Sequence, residues 1–226
     1  MTYSLRQVAT ILHKDLVTEM RSKDIVISML VFSLIVVAVF NFIFDPGSEQ
    51  IKTTAPGILW VAIIFAGNLG LSRSFAREHE NAMMQGLLLC PVDRSLIFVA
   101  KVIGNIIFIS IVELISVPIM IVLFDLSIGA VFWQLVLILL LGTIGFAGVG
   151  TLFSTISANT KSREVMLPIL LFPVSIPIIL SAVKSTTYLL NNSTVNNVWS
   201  WIRILIAFDL IFTVVCFLLY EYVLEE

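Results

Sequence analysis

Six long apolar stretches constrain the fold of this chain more than any other feature of its sequence. A helix needs roughly 20 apolar residues to cross the hydrocarbon core of a bilayer, which is about 30 Å thick. The stretches are continuous rather than alternating in polarity, which favours helices over a membrane β-barrel. They cover residues 25–44, 56–71, 96–124, 130–156, 165–183 and 202–220, the second being short for a span. We therefore predict an all-α polytopic membrane protein with six transmembrane helices.

The composition agrees with lipid as the surrounding solvent. Of the 226 residues, 59% are hydrophobic and 12% are charged, whereas a soluble domain is usually about 25% charged. The net charge of −2 gives no indication of nucleic-acid binding. Two distant cysteines, Cys90 and Cys216, predict neither a disulfide framework nor a metal site. Short connections between the stretches predict one transmembrane domain, residues 25–226, after an N-terminal segment of residues 1–24.

The basic residues predict the orientation of the chain. Nine of its thirteen Lys and Arg residues either precede span one or lie in the connections after spans two and four. They are Arg6, Lys14, Arg21, Lys23, Arg73, Arg77, Arg94, Lys161 and Arg163. Because cytoplasmic loops are enriched in Lys and Arg, we predict that both termini are cytoplasmic. Residues 1–24 are too charged for a cleavable signal peptide, so span one is expected to be an uncleaved anchor.

The N-terminal segment itself has the pattern of an amphipathic helix. Apolar residues recur in it at three- and four-residue spacing, which is helical periodicity. They are Leu5, Val8, Leu12, Leu16 and Met20. We predict a helix that lies in the membrane interface; the alternative is a helix packed on the cytoplasmic loops of the protein.

A coupling segment, residues 73–94, is predicted between spans two and three. It begins with charged residues, becomes largely apolar at 83–89 and stops at Pro91, which cannot continue a helix. This pattern predicts a short cytoplasmic helix whose exposed apolar side chains suit docking of a partner; the alternative is a helix that rests on lipid. The candidate docking residues are Glu80, Met83, Met84, Leu87, Leu88, Leu89, Pro91 and Arg94.

Charges are costly and commonly functional inside a membrane, and Lys101, Glu113 and Asp209 are ionisable residues within the predicted spans. Lys101 is close enough to the cytoplasmic end to snorkel. Lys101 and Arg203 are the candidate partners of Asp209, and the sequence does not choose between them.

Spans four and five carry residues that alter helix packing. Gly142, Gly145 and Gly148 thin span four, which suits either a sliding dimer or gating interface or ordinary packing within the chain. Pro168, Pro173 and Pro177 predict that span five kinks or partly unwinds. A broken helix there would line a substrate path, and a static kink is the alternative.

Several stretches resemble one known family. Residues 77–80, 87–94 and Lys101 resemble the coupling segment of ABC-2-type exporter permeases. Residues 55–62, 139–150 and 167–177 resemble heme exporter protein B, the permease of cytochrome c maturation, within that class. The resemblance covers nearly the whole chain and is most specific in the proline-rich fifth span. Residues 81–85 depart from the Gly-Thr/Ser-Leu-Glu usual in the family, which blurs where the coupling helix begins.

The resemblance implies a transporter subunit of a bacterial inner membrane rather than an enzyme. Two copies would pair with two copies of a cytoplasmic ATPase subunit and work with a heme-handling membrane subunit, a small single-span subunit and a periplasmic heme chaperone. ATP would bind the partner, and heme would be a candidate cargo rather than a firmly bound cofactor. In agreement, the chain has no Gly-x-x-x-x-Gly-Lys-Ser/Thr phosphate-binding motif.

Other functions remain open at the level of sequence. An exporter permease could carry a lipid, a polysaccharide or a drug instead, and a membrane scaffold would need no ATP. A membrane-embedded enzyme would rest on Glu113 and Asp209 alone, because no catalytic or metal-binding arrangement is evident. The two histidines, His13 and His79, are predicted to be cytoplasmic. Residues 184–201 are predicted to form an outer loop that either meets a periplasmic partner or is a solvated connection.

Overall fold

A bundle of α-helices forms the part of the chain that the computed structural model describes, which comprises residues 2–80, 86, 93–126, 129–158, 163–191 and 195–223. The helices are α1 (Thr2–Ser22), α2 (Asp24–Ile43), α3 (Glu49–Glu80), α4 (Arg94–Leu123), α5 (Phe132–Ala158), α6 (Arg163–Leu190) and α7 (Val195–Val223), with a short 3₁₀ helix at Gly129–Val131. Helices α2 to α7 are each long and apolar enough to cross a membrane. The predicted all-α architecture with six spans is therefore confirmed.

Helices α5 and α3 form the centre of the bundle. In an apolar stretch of 18 residues taken from each helix, 72% of the residues are buried in α5 and 67% in α3, compared with 22% in α2 and 28% in α7. Helix α5 packs against α3, α4, α6 and α7. A helix surrounded in this way needs small residues, because the approach of four neighbours leaves little room for side chains.

Most of the Lys and Arg residues lie at one end of the bundle. This end, which we call the basic end, carries α1, the end of α3 and the starts of α2 and α4. At this end Lys23 has a positive φ of 58°, which turns the chain from α1 into α2. At the opposite end the turns are at Gly47, with a φ of 74°, and Asp125, with a φ of 51°. The amide of Gly47 donates a hydrogen bond to the carbonyl oxygen of Phe124 (3.2 Å), which joins the two turns.

Three helices, α3, α6 and α7, are much longer than their apolar stretches predicted. Helix α3 starts seven residues before Pro56, and a proline is tolerated near the start of a helix. The prediction of an outer loop over residues 184–201 is wrong, because α6 continues to Leu190 and α7 begins at Val195. Thr186 and Thr187 favour this continuation by donating hydrogen bonds to carbonyl oxygens one turn earlier (both 2.8 Å).

Helix α6 is continuous through Pro168, Pro173 and Pro177. It is therefore not unwound at the three prolines, although each of them removes one donor from the helix. Leu171 and Ile178 are buried close to these prolines, at 0% and 1% exposure, and α6 packs against α3, α5 and α7. Packing on three sides accounts for a helix that keeps its form despite the lost hydrogen bonds.

Candidate functional site

The candidate site has two parts: the frame around the coupling segment at the basic end, and a set of polar side chains inside the bundle. Of the predicted docking residues, Glu80 ends α3 and Arg94 begins α4. The others, Met83, Met84, Leu87, Leu88, Leu89 and Pro91, lie outside the described residues. Docking at the coupling segment therefore stays a prediction, but the structure shows what holds each side of it.

Arg77, near the end of α3, is fastened to α1. Its Nη1 donates to the hydroxyl of Ser22 (2.6 Å) and lies 3.6 Å from Oε2 of Glu19. Glu19 is only 4% exposed, and its Oε1 accepts the backbone N–H groups of Ile25 (2.9 Å) and Val26 (3.0 Å). The carboxylate thus caps the start of α2, where unpaired N–H groups favour negative charge. One side chain of α1 therefore joins the end of α3 to the start of α2.

Lys101, seven residues into α4, is also fastened to α1. Its Nζ lies 2.7 Å from Oδ2 of Asp15, and the lysine side chain is 3% exposed. Lys14 approaches the other oxygen, Oδ1, of the same carboxylate at 3.1 Å. Lys101 therefore has a partner on α1, and the predicted pair with Asp209 is wrong, because neither oxygen of Asp209 has a partner among the described residues. Sequence reasoning missed Asp15 and Glu19, although their spacing of four residues already placed two carboxylates on one face of α1.

The start of α4 has one further contact at the basic end. Nη1 of Arg94 donates to the carbonyl oxygen of Glu221, near the end of α7, at 3.5 Å. Both sides of the coupling segment are therefore attached to the bundle: the α3 side through Arg77, and the α4 side through Lys101 and Arg94.

Inside the bundle, α4 and α5 are joined by two hydrogen bonds between side chains. Asn105 donates from Nδ2 to Oγ1 of Thr151 (2.9 Å), and Oγ1 of Thr143 lies 2.6 Å from Oε1 of Glu113, to which it donates. All four residues are buried. The two bonds are eight residues apart on each helix, or about 12 Å along the axis, which fixes the antiparallel register of α4 and α5. Sequence reasoning singled out Glu113 but not its partner or the second pair.

Asp209 lies on the other side of α5. Its side chain is 7% exposed, and neither carboxylate oxygen has a hydrogen-bond partner among the residues that the structure describes. A Cβ atom added to Gly145 would overlap Oδ1 of Asp209, so this glycine lets the carboxyl group lie directly against α5. The candidate partners do not reach it: Lys101 pairs with Asp15, and Arg203 is exposed.

The two buried carboxyl groups are held apart by α5. Glu113 contacts α5 at Thr143 and Asp209 contacts it at Gly145. Two residues correspond to about 200° around a helix, so the contacts are on nearly opposite sides. The described residues contain no group of three or more His, Cys, Asp or Glu side chains that could hold a metal ion. This arrangement offers no paired carboxylates for acid–base chemistry and gives the enzyme hypothesis no support.

The glycines of α5 are used for packing within the chain. An added Cβ at Gly142 would overlap the ring of Trp60, which is 1% exposed and donates from Nε1 to Oγ1 of Thr186 (3.1 Å). At Gly148 the nearest atom would be Oγ1 of Thr213, at 3.9 Å. These contacts agree with ordinary packing within one chain; a gating or dimer interface stays a prediction.

Comparison with known proteins places this bundle in a family. The family model described as CcmB protein matches residues 6–221. The chain belongs to the CcmB family. Because the match begins at residue 6, most of α1, with Asp15 and Glu19, lies within the range that the CcmB family model covers.

Individual relatives agree with the CcmB assignment. The protein named heme exporter protein B in Haemophilus influenzae is 27% identical over 172 residues, which are 76% of this chain and 77% of that protein. The protein of the same name in Pseudomonas aeruginosa is 29% identical over 151 residues, 67% of each chain. The one in Rhodobacter capsulatus is 30% identical over 148 residues, 66% of this chain and 67% of the relative.

Proposed function

We propose that this chain is the membrane permease subunit of an ABC-type complex that acts in heme export and cytochrome c maturation. The family match over residues 6–221, together with relatives named heme exporter protein B, carries this proposal. The chain lacks a phosphate-binding loop in its sequence, so ATP hydrolysis is assigned to a separate cytoplasmic subunit. In this proposal the protein lies in a bacterial inner membrane with both termini in the cytoplasm.

The coupling segment is the proposed docking site for the ATPase subunit. The contacts on either side of it support this role, because a docked partner can act on α3 and α4 only if those helix ends are firmly held. Arg77 and Lys101 both bind α1, at distances of 2.6 Å to Ser22 and 2.7 Å to Asp15. Displacement of the segment would therefore move α1, α3 and α4 together rather than one helix end alone.

The further partners follow from the same proposal. A second copy of the chain, a heme-handling membrane subunit, a small single-span subunit and a periplasmic heme chaperone complete the expected assembly. The final step assigned to it is export of heme, or release of the chaperone with heme bound, at the cost of ATP. An exporter permease for another cargo is the second candidate and differs in the partners that it should retain.

The test is a pull-down of the tagged full-length chain in mild detergent, with partners identified by mass spectrometry. Wild type is expected to retain an ATPase subunit together with heme-handling membrane proteins. Leu88→Glu should retain at least about tenfold less of the ATPase subunit than wild type. The reason is that a charge on an apolar docking face is left without a partner when the interface forms. His13→Glu is the matched control, since His13 is exposed on α1 and outside the coupling segment.

Each outcome bears on a different part of the proposal. Retention of the ATPase by Leu88→Glu, with the protein still inserted in the membrane, would sink the docking assignment. An ATPase recovered without heme-handling proteins would keep the permease and favour another cargo. In a strain that lacks its own copy, heme staining of c-type cytochromes should be restored by wild type and His13→Glu but not by Leu88→Glu.

A further inference from the structure

Among the described residues, Asp209 has two buried polar atoms without a hydrogen-bond partner, more than any other side chain. It is the central residue of α7, and Gly145, against which it lies, is the central residue of α5. The pair is therefore expected near the middle of the bilayer, far from water at either surface. With 7% of the side chain exposed and no hydrogen-bond donor among the described residues, an ionised carboxylate here would lack any compensating interaction.

Among the residues that the structure describes, none with a positive charge reaches Asp209. Helix α5 has no ionisable residue anywhere between Phe132 and Ala158. Helix α6 contributes Ile178 at this point, and its nearest ionisable residue, Lys184, is exposed six residues further on. On α7 the nearest charged residue, Arg203, is six residues away and also exposed. On α4 the acidic Glu113 is held by Thr143 on nearly the opposite side of α5.

We propose that Asp209 is a proton-binding site, which holds a proton while α5 and α7 are packed and releases it when they separate. The packed bundle accommodates a neutral carboxylic acid, whereas the carboxylate formed by loss of one proton needs water or a cation. Both oxygens are shielded in the packed bundle and Oδ1 lies against Gly145, so opening of this contact is the direct way for water to reach the carboxyl group. Proton release and separation of the two helices are therefore coupled equilibria: loss of the proton favours separation, and separation favours loss of the proton.

Infrared spectroscopy of the purified full-length chain in lipid nanodiscs tests the first half of the proposal. The carbonyl stretch of a carboxylic acid is separate from the stretches of a carboxylate, so the two forms can be told apart. At neutral pH the acid band of wild type should lose one component in Asp209→Asn, which keeps the shape of the neutral form. If Asp209→Asn removes carboxylate intensity instead, the proposal is overturned.

Controls assign the band to its residue. Glu113→Gln should remove a different component, because Glu113 has a hydroxyl donor at 2.6 Å and Asp209 has none among the described residues. If Asp209→Asn fails to fold, Asp209→Glu is the second variant, because it keeps a carboxyl group in a changed position. The acid band should then shift in frequency, and an unshifted band would count against Asp209 as the proton-binding site. Spectra that change when sodium is replaced by a bulky organic cation would assign the site to a metal cation and overturn the proton.

A reversible crosslink tests the second half. Gly148 and Thr213 face each other across α5 and α7, one turn from Gly145 and Asp209, with Oγ1 3.9 Å from an added Cβ. Gly148→Cys with Thr213→Cys, in a background without Cys90 and Cys216, should form a disulfide that prevents separation. Oxidation should raise the pH at which the acid band is lost by at least about one unit, and reduction should reverse the shift. An equal midpoint in both states would show that proton release needs no separation of the helices.

Discussion

The basic end of the bundle and its centre accommodate buried ionisable residues in different ways. At the basic end each carboxylate of α1 has a cationic partner: Asp15 has Lys101, and Glu19 has Arg77. In the centre, Glu113 has only a hydroxyl group and Asp209 has no partner among the described residues. Charge pairs thus hold the end of the bundle next to the coupling segment, whereas the centre is closely packed and its described carboxyl groups have no counter-ions.

The two regions should therefore respond to different signals. Opposite charges hold a defined geometry and pass on a displacement, because separating them inside the protein is costly. A carboxyl group without a partner responds to solvent access instead, because its charge state depends on whether water can reach it. Substitutions in the two regions should therefore differ in the size of their effect on stability.

Removal of the buried cation at the basic end should have the largest effect. Lys101→Met leaves Asp15 without its main partner and should lower the free energy of unfolding by about 3 kcal/mol. The measurement is a denaturant titration of the purified chain in mixed micelles. Lys14→Met is the control, because Lys14 contacts the same carboxylate but is 40% exposed, and should cost less than about 1 kcal/mol.

The double variant separates charge from size. Lys101→Met combined with Asp15→Leu removes both charges and should recover much of the lost stability, since apolar replacements of a buried pair are often tolerated. If the double variant is as unstable as Lys101→Met alone, the uncompensated carboxylate is not the cause, and the basic end is held by packing as the centre is.

Close packing in the centre should give the second largest effect. In Gly142→Ala the new methyl group overlaps the ring of Trp60, and the shift that relieves this overlap should cost about 1–3 kcal/mol. Gly148→Ala brings the same gain in helix propensity but finds Oγ1 of Thr213 at 3.9 Å, so it should be neutral or slightly stabilising. Thermal unfolding of both proteins measures the difference, and equal midpoints would contradict close packing at Gly142.

The hydrogen bond that lies between the two regions should give the smallest effect. A double-mutant cycle with Asn105→Ala and Thr151→Ala should yield a coupling energy of about 0.6 kcal/mol, the average for such bonds in membrane proteins. A coupling of several kcal/mol would mean that the contrast between the two regions is not sharp and that polar contacts stabilise the centre as well.

The sequence predicted most of the architecture, because membrane-spanning helices are long, apolar and continuous. The sequence did not predict the ends of helices that continue through polar residues. Lys52 and Thr53 lie within α3, and Thr186 and Thr187 lie within α6. Local hydrogen bonds to the preceding turn keep such residues helical, and hydropathy does not record them.

The candidate site was predicted less completely, because a sequence shows which residues are unusual but not which partners they meet. Lys101, Glu113 and Asp209 stood out as charges in apolar stretches. Asp15, which pairs with Lys101, is 86 residues away on the amphipathic helix α1. The partner of Glu113 is Thr143, which no sequence pattern distinguished from other threonines. The role of Gly142 depends on the ring of Trp60, which is equally remote in sequence.

The fastening of α1 also has a consequence for the order in which the protein is made. Asp15 leaves the ribosome 86 residues before Lys101, and Ser22 leaves it 55 residues before Arg77. Until α3 and α4 have been made, the polar side chains of α1 therefore lack their partners on those two helices. Together, these contacts of α1 can form only after α4 has been made, so α1 reaches its final place at this end of the bundle later than its own synthesis.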